Sequence, residues 1–420
     1  MRFLSVFLAF LSLLGSTAFS PIDKQSCKEQ PKGIKKVSSA EINHLVDQLG
    51  DNDFAKRQQA RKQLEAIGEP ALGTLKKAAE SSSDAEIRKT AKEIAEAIEL
   101  KTSGLLRVFG KHGDRVEGVA FSADAKKAVS ASWDGKLRYW NLENGELIRE
   151  MQGHKGPFVN SVVLSANGKQ ALSGGGDGTM RLWDLESGKG LRVFEGHPQP
   201  VYDVAFSPDG KKALSGCADG IARLWDIASG KMLLTLRTQK EGYAWTVAFT
   251  PDGKRAVTGG GNALSVRKTE PEGSLLLWDL ATGKQLHRFQ GHTKDVRRVA
   301  ISPDGKQLLS GSFDGTMRLW DLQTAKELHR FDGPGHFVEA VAFTPDGKRV
   351  VCSYGPRGVE AVYNADPSCS IRLWDLATGE ELKQLKGHTA PVLTLALSRD
   401  GRLLLSGSAD KTMRLWQMPK

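Results

Sequence analysis

From residue 104 to the end, apolar and polar residues alternate in short runs such as VYDVAFS and KALSG, separated by Pro-Asp-Gly and Asp-Gly pairs. Alternation with period two marks strands buried on one side, and those breaks supply the dihedrals of tight turns. Residues 38–100 follow a different period. EINHLVDQLG, the stretch from Asp53 to Ile67, PALGTLKKAAE and DAEIRKTAKEIAEAIEL predict four helices, and in the last of them Ile87, Ala91, Ile94 and Ile98 form one apolar stripe. Ser38 with Glu41 and Ser83 with Glu86 have capping-box spacing, Gly50 and Gly68 are stop signals, and Pro70 fits a first helical position. The first twenty residues match neither pattern: Arg2 precedes FLSVFLAFLSLLG and the small-residue stretch STAFS.

The strand pattern is itself repeated. Trp140, Trp183, Trp225, Trp278, Trp320, Trp374 and Trp416 close seven copies of one phrase, typically RLWDL, at intervals of 43, 42, 53, 42, 54 and 42 residues. Each copy carries four short strands around a PDGK and an Asp-Gly turn, and a period of about 40 to 45 residues is that of a propeller blade. With seven Trp phrases in register with GH, PDG and DG elements, residues 104–420 resemble the WD40-repeat family. The resemblance implies an all-β seven-bladed β-propeller of four-stranded antiparallel blades, preceded by a small α-helical segment. The last copy stops after a third strand, so the resemblance implies that residues 104–109 complete blade seven and remove an open edge. Residues 38–100 look like HEAT-type repeats, whose units need neighbours to bury their faces. They are expected to dock on the propeller or a partner, with residues 21–37 as linker and 101–104 as hinge.

Five copies carry His, Ser, Asp and Trp at matched offsets. They are His112, Ser130, Asp134 and Trp140 in blade one, His154, Ser173, Asp177 and Trp183 in blade two, and His197, Ser215, Asp219 and Trp225 in blade three. Blade five has His292, Ser310, Asp314 and Trp320, and blade seven has His388, Ser406, Asp410 and Trp416. The composition is that of a hydrolase triad, but one active site does not need five copies. In the family the set is a structural network: Asp holds His, His holds Ser, and Ser meets the indole N–H. Blade four lacks GH, carries Thr258 in the Ser place and has GGNALSVRKTEPEGS instead of the Asp-Gly turn. Blade six displaces His336, carries Cys352 in the Ser place and inserts YGPRGVEAVYNADPSCS. By family topology both insertions rise on the top face, and long loops in compact units are usually functional.

Aligned first strands give a ring of top-facing positions: Glu117, Asn160, Tyr202, Trp245, Arg297, Glu339 and Leu393. Tyr202, Trp245 and Arg297 are consecutive in the ring and of the types enriched in interface hot spots. Trp133 and Phe313, each one residue before a tetrad Asp, add aromatics to the same face. These five are the candidate partner-binding residues, with Trp245 and Arg297 expected to project into solvent. The channel-side strands read as mostly apolar, which weighs against the alternative, a propeller hydrolase or lactonase with a site in the central channel. No catalytic residue, cofactor or metal is assigned.

Residues 1–20 read as a secretory signal with Ser16 and Ala18 forming a small-x-small cleavage site before Phe19, the rival being an uncleaved anchor. The chain then looks like an exported bacterial member of the family, periplasmic or extracellular, with no membrane span once the signal is cleaved. Lys and Arg number 59 against 49 Asp and Glu, a net charge of +10, but they are spread through turns and strands without a cluster. That disfavours nucleic acid. Cys352 and Cys369 flank the blade-six insertion as a candidate disulfide, worth about 3 kcal/mol for such a loop; two free thiols are the alternative. The expected protein is an exported, non-enzymatic, monomeric scaffold binding a protein or peptide on its top face over blades three to six.

Overall fold

A computed structural model of the chain describes residues 37–238, 242–262, 273–355 and 369–419. The expected signal, residues 21–36 of the linker, and residues 263–272 and 356–368 within the two inserted loops lie outside the described residues.

The alternating runs form seven four-stranded antiparallel sheets arranged as blades. Their innermost strands are β2 (Val116–Phe121), β6 (Val159–Leu164), β10 (Val201–Phe206), β14 (Tyr243–Phe249), β18 (Val296–Ile301), β22 (Phe337–Phe343) and β26 (Val392–Leu397). The apolar core is divided into layers, each straddling two blades: Trp140 of blade one packs with Leu405, Met413 and Leu415 of blade seven, and Trp225 of blade three with Met180 and Leu182 of blade two. A blade therefore has no core of its own and needs both neighbours, as repeat architectures do.

The ring closes through β1 (Leu105–Phe109), which pairs antiparallel with β28 (Met413–Gln417) in the register Phe109↔Met413. Gly104 O accepts from Gln417 N at 2.6 Å. Phe109 is buried and meets Trp140 edge-on at 5.5 Å.

Four helices precede the ring: α1 (Ser39–Asp47), α2 (Phe54–Ile67), α3 (Leu72–Ser81) and α4 (Ala85–Thr102). Two local expectations change. The N-cap of α4 is Asp84, not Ser83, because its carboxylate sits 2.7 Å from Glu86 N and also takes Ile87 N–H. Pro70 lies in a short 3-10 turn ahead of α3. The helices also do not wait for a partner to cover them: Leu49, Leu64, Leu75, Ile94 and Ile98 bury one another in a core without propeller residues. Residues 101 and 102 of the expected hinge are helical. α4 runs through Thr102, whose carbonyl accepts from Lys383 Nζ of blade six at 3.0 Å. Elsewhere the matching bond runs from an outer strand to the next blade's turn, as from Arg107 to the carbonyls of Glu143 and Asn144 and from Arg192 to those of Ala228 and Ser229. The C-terminus of α4 stands in for the missing turn of blade seven, and its negative dipole end suits a lysine.

Candidate functional site

Pairing between first and second strands skips one residue in all seven blades, from Val116 to Gly118 in β2 through to Val392 to Thr394 in β26. The skipped residues are the seven ring positions. A β-bulge re-aims a side chain and breaks alternation, and on β18 two adjacent residues consequently reach across the channel. Arg297 Nη2 lies 3.2 Å from Glu117 of blade one and Arg297 Nε 3.4 Å from Glu339 of blade six. Arg298 Nη1 lies 2.9 Å from Asp203 of blade three, which also accepts from Ser161 Oγ at 2.9 Å and Val247 N at 3.1 Å.

This corrects two expectations. The channel is not mostly apolar, since its upper part holds two arginines and three carboxylates, and Arg297 is 9% exposed instead of projecting into solvent. Burial works to lower the Arg297 pKa, but the Glu117 and Glu339 carboxylates outweigh it and keep the guanidinium charged. Burial, helped by the charge of Glu117, pushes the Glu339 carboxyl upward against the pull of Arg297.

Beside this ion cluster, half-buried aromatic rings run over blades three to six. Centroids lie 4.3 Å apart for Tyr202 and Trp245, 4.8 Å for Tyr243 and Trp245, 6.4 Å for Trp245 and Phe313, and 4.6 Å for Phe313 and Phe337. The Arg297 guanidinium stands 5.1 Å from the Trp245 ring, and Trp245 Nε1 donates to Asp295 at 2.8 Å. Four of the five candidates, Tyr202, Trp245, Arg297 and Phe313, thus converge. Trp133 stands apart over blades one and two, with Arg115 at 3.6 Å, Phe158 at 4.5 Å and its Nε1 donating to Asn160 at 3.0 Å.

Tyr243, Phe337, Asp295, Arg115 and Phe158 were missed by the sequence reading, and one signal would have found them all. Each lies two residues before a ring position, where the remaining blades have Pro200 and Pro391. Phe158 holds φ 78°, a rare conformation for a bulky residue and one found where surrounding structure over-determines it.

The tetrads divide into two kinds. In blades two, five and seven the chain is complete: the Trp indole donates to Ser Oγ at 2.8 Å, Ser Oγ meets His Nε2 at 2.7 Å, and His Nδ1 meets the Asp at 2.9, 2.8 and 2.7 Å respectively. In blades one and three the Ser links persist, but Nδ1 of His112 and of His197 meets no hydrogen-bonding side chain. The expectation that Asp134 and Asp219 hold their histidines is therefore corrected. The cause is the residue two after the Asp. Thr179, Thr316 and Thr412 donate their hydroxyls to the Asp at 2.6–2.7 Å and receive the Nε of the arginine that follows. Blades one and three have Lys136 and Ile221 there, and Arg138 and Arg223 take the carboxylates at 2.8 and 2.5 Å. Every tetrad Ser has no exposed surface, as suits a network that satisfies buried polar groups.

The two divergent blades keep the indole bond by substitution. Trp278 donates to Thr258 Oγ1 at 2.9 Å and Trp374 to Cys352 Sγ at 3.2 Å. The expected Cys352–Cys369 disulfide is not formed; both cysteines are reduced and buried, and the Cys352 sulfur serves in place of a serine oxygen. Burial pushes the Cys352 thiol up to about 11, so it stays protonated. The Tyr354 ring lies beside Gly333. Among the described residues no group of three or more His, Cys, Asp or Glu converges as a metal site, and no helix is long and apolar enough to cross a membrane.

The model of the WD domain, G-beta repeat, matches residues 103–141, 145–184, 188–226, 283–321, 325–375 and 379–417, more than half of the chain. The chain belongs to the WD40 family. Within the ring the long stretch the family model leaves out, 227–282, holds the first three strands of blade four, the one without GH or Asp-Gly turn. Among similar WD40 proteins, the Periodic tryptophan protein 2 homolog of Neurospora crassa is 40% identical over 63 residues, 15% of this chain and 7% of its own. Eukaryotic translation initiation factor 3 subunit I of Culex quinquefasciatus is 26% identical over 145 residues, 34% of this chain and 44% of its own. Small ribosomal subunit protein RACK1 of Drosophila melanogaster is 32% identical over 151 residues, 34% of this chain and 43% of its own. The chain spans less than half the length of these relatives.

Proposed function

We propose that this WD40 protein is a non-enzymatic scaffold that takes a protein or peptide segment on its top face over blades three to six. The observation carrying this reading is the contiguous run Tyr202, Tyr243, Trp245, Phe313 and Phe337, half-exposed at the channel rim and bordered by Arg297. Aromatic anchors beside a polar surround are the makeup of interface hot spots. The names of similar proteins, an initiation factor subunit, a ribosomal subunit protein and a receptor-associated protein, are those of members of assemblies. A Trp245→Ala, Phe313→Ala double variant should weaken a captured native partner about 30-fold or more, as two lost hot-spot rings would. Lys211→Ala, in a turn on the opposite face, should leave affinity unchanged. Equal affinity of the double variant and the parent would remove this reading.

The same proposal includes export. Arg2, the apolar run after it and the Ser16/Ala18 site support a cleaved signal, and the helical segment reads as a HEAT-like pair built onto the ring's seam. Mass spectrometry of the mature chain should place its first residue at Phe19.

A further inference from the structure

In blades three to six the turn after the innermost strand begins Ser/Thr-Pro-Asp-Gly, with Pro208, Pro251, Pro303 and Pro345. Each proline stands beside the turn glycine of the following blade, Gly253, Gly305, Gly347 and Gly401 in order, within 4 Å of where a Cβ on that glycine would sit, so the prolines form a row around the lower mouth of the channel. Blades seven, one and two break the row with Arg399, Ala123 and Ala166. A cavity of about 370 Å³ opens at those three blades, lined by apolar Phe121, Leu164, Leu395 and Leu397 and by polar Ser122, Ser165 and Arg399. The residue before Val162, Ser161, is tied to Asp203 and through it to Arg298, so polar contacts cross the channel above the cavity and leave it a cup that opens downward.

The rim is basic. Arg399 is exposed and crosses from blade seven to donate to Ala166 O of blade two at 3.2 Å. Exposed Lys126, Lys169 and Arg402 stand on the same three turns. The opposing carboxylates are partly spent: Asp124 and Asp400 accept Ser122 and Ser398 hydroxyls at 2.6 Å, Glu143 lies 3.7 Å from Lys126, and Asp400 lies 3.8 Å from Arg402. Asn167 replaces the Asp in blade two.

We propose that this cup binds an amphiphilic monocarboxylate, a medium-chain fatty acid in size, with its chain against the aliphatic wall and its carboxylate on Arg399. The volume is at the small end of ligand pockets, and apolar side chains joined by a few placed polar groups, here Ser122, Ser165 and Arg399, are their usual makeup. The guanidinium now spends a donor on a neutral carbonyl, and a carboxylate is the stronger, bidentate acceptor.

Isothermal titration of the full chain with octanoate, decanoate, decanol and decylamine tests it. Decanoate should bind saturably and more tightly than octanoate, by about fourfold per methylene added. Arg399→Gln should weaken decanoate at least fivefold while leaving decanol unchanged. Ala123→Pro with Ala166→Pro, which restores the row of prolines, should weaken it at least tenfold at an unchanged melting temperature. Leu164→Trp fills the same space from the wall and answers the question if the proline variant does not fold. The top-face variant Trp245→Ala, Phe313→Ala should bind decanoate like the parent, so this site and the partner reading fail separately. Absence of saturable decanoate binding, equal binding of decylamine, indifference to both Arg399→Gln and cavity filling, or binding of a peptide with an apolar C-terminus in place of decanoate would each overturn the proposal.

Discussion

His112 and His197 sit in blades where an arginine has taken the tetrad carboxylate, and burial, with Arg138 and Arg223 adding to it, lowers each imidazole to about 4. An unfolded chain takes up a proton at such a histidine near pH 6.5, whereas the native chain does not until about pH 4. Stability should therefore fall as pH drops through that window, by roughly 3 kcal/mol per histidine once it is crossed. Asp177, Asp314 and Asp410 are held well below the usual carboxylate range by their histidine, threonine and backbone hydrogen bonds, against the effect of burial. Their stabilisation is present above the ordinary carboxylate pKa and is lost as pH falls below it, giving a second, more acidic decline. Melting temperatures of the parent and a His112→Gln, His197→Gln variant from pH 7 to 4 should converge at the acid end. The five tetrads were legible as residues at fixed offsets, but their closure was not. That depends on whether Thr179, Thr316 or Thr412 is present to hold the aspartate against the nearby arginine, a competition between neighbours that spacing does not record.

At the scale of elements, strand count and order followed from turn residues and period, because Pro-Asp-Gly and RLWDL leave little choice of register. The shared bulge was hidden. Pattern reading assigns one face per residue by strict alternation, and the bulge places both Arg297 and Arg298 toward the axis. The long-range pairing of β1 with β28 was readable from the incomplete last copy. Deleting residues 37–102 should leave the ring folded, since the helices keep their own core. Extending the deletion through Phe109 should expose the third strand of blade seven and uncover Trp140. Aggregation or a loss of several kcal/mol is expected, as for a large aromatic removed from a core with an edge left open, and parallel thermal melts of the two truncations check it.

At the scale of the whole molecule, Arg297 ties blades one, five and six through one buried group. Arg297→Met keeps its bulk but leaves Glu117 and Glu339 facing each other without a counter-charge, which should cost about 3 to 5 kcal/mol in chemical denaturation. Glu339→Gln, which leaves the Arg297–Glu117 pair in place, should cost less. The ring's seam has a further consequence for synthesis. Among the described strands β1 is made first, and the strand it pairs with, β28, is made last. At ordinary elongation rates the interval is roughly 15 to 60 s. Throughout it six blades can stack while the ring remains an open arc with Leu105–Phe109 waiting at one end. The step that closes the ring is thus a meeting of its first and last strands, and a chaperone or neighbouring nascent chain that offers β1 another partner during that interval would compete with closure itself.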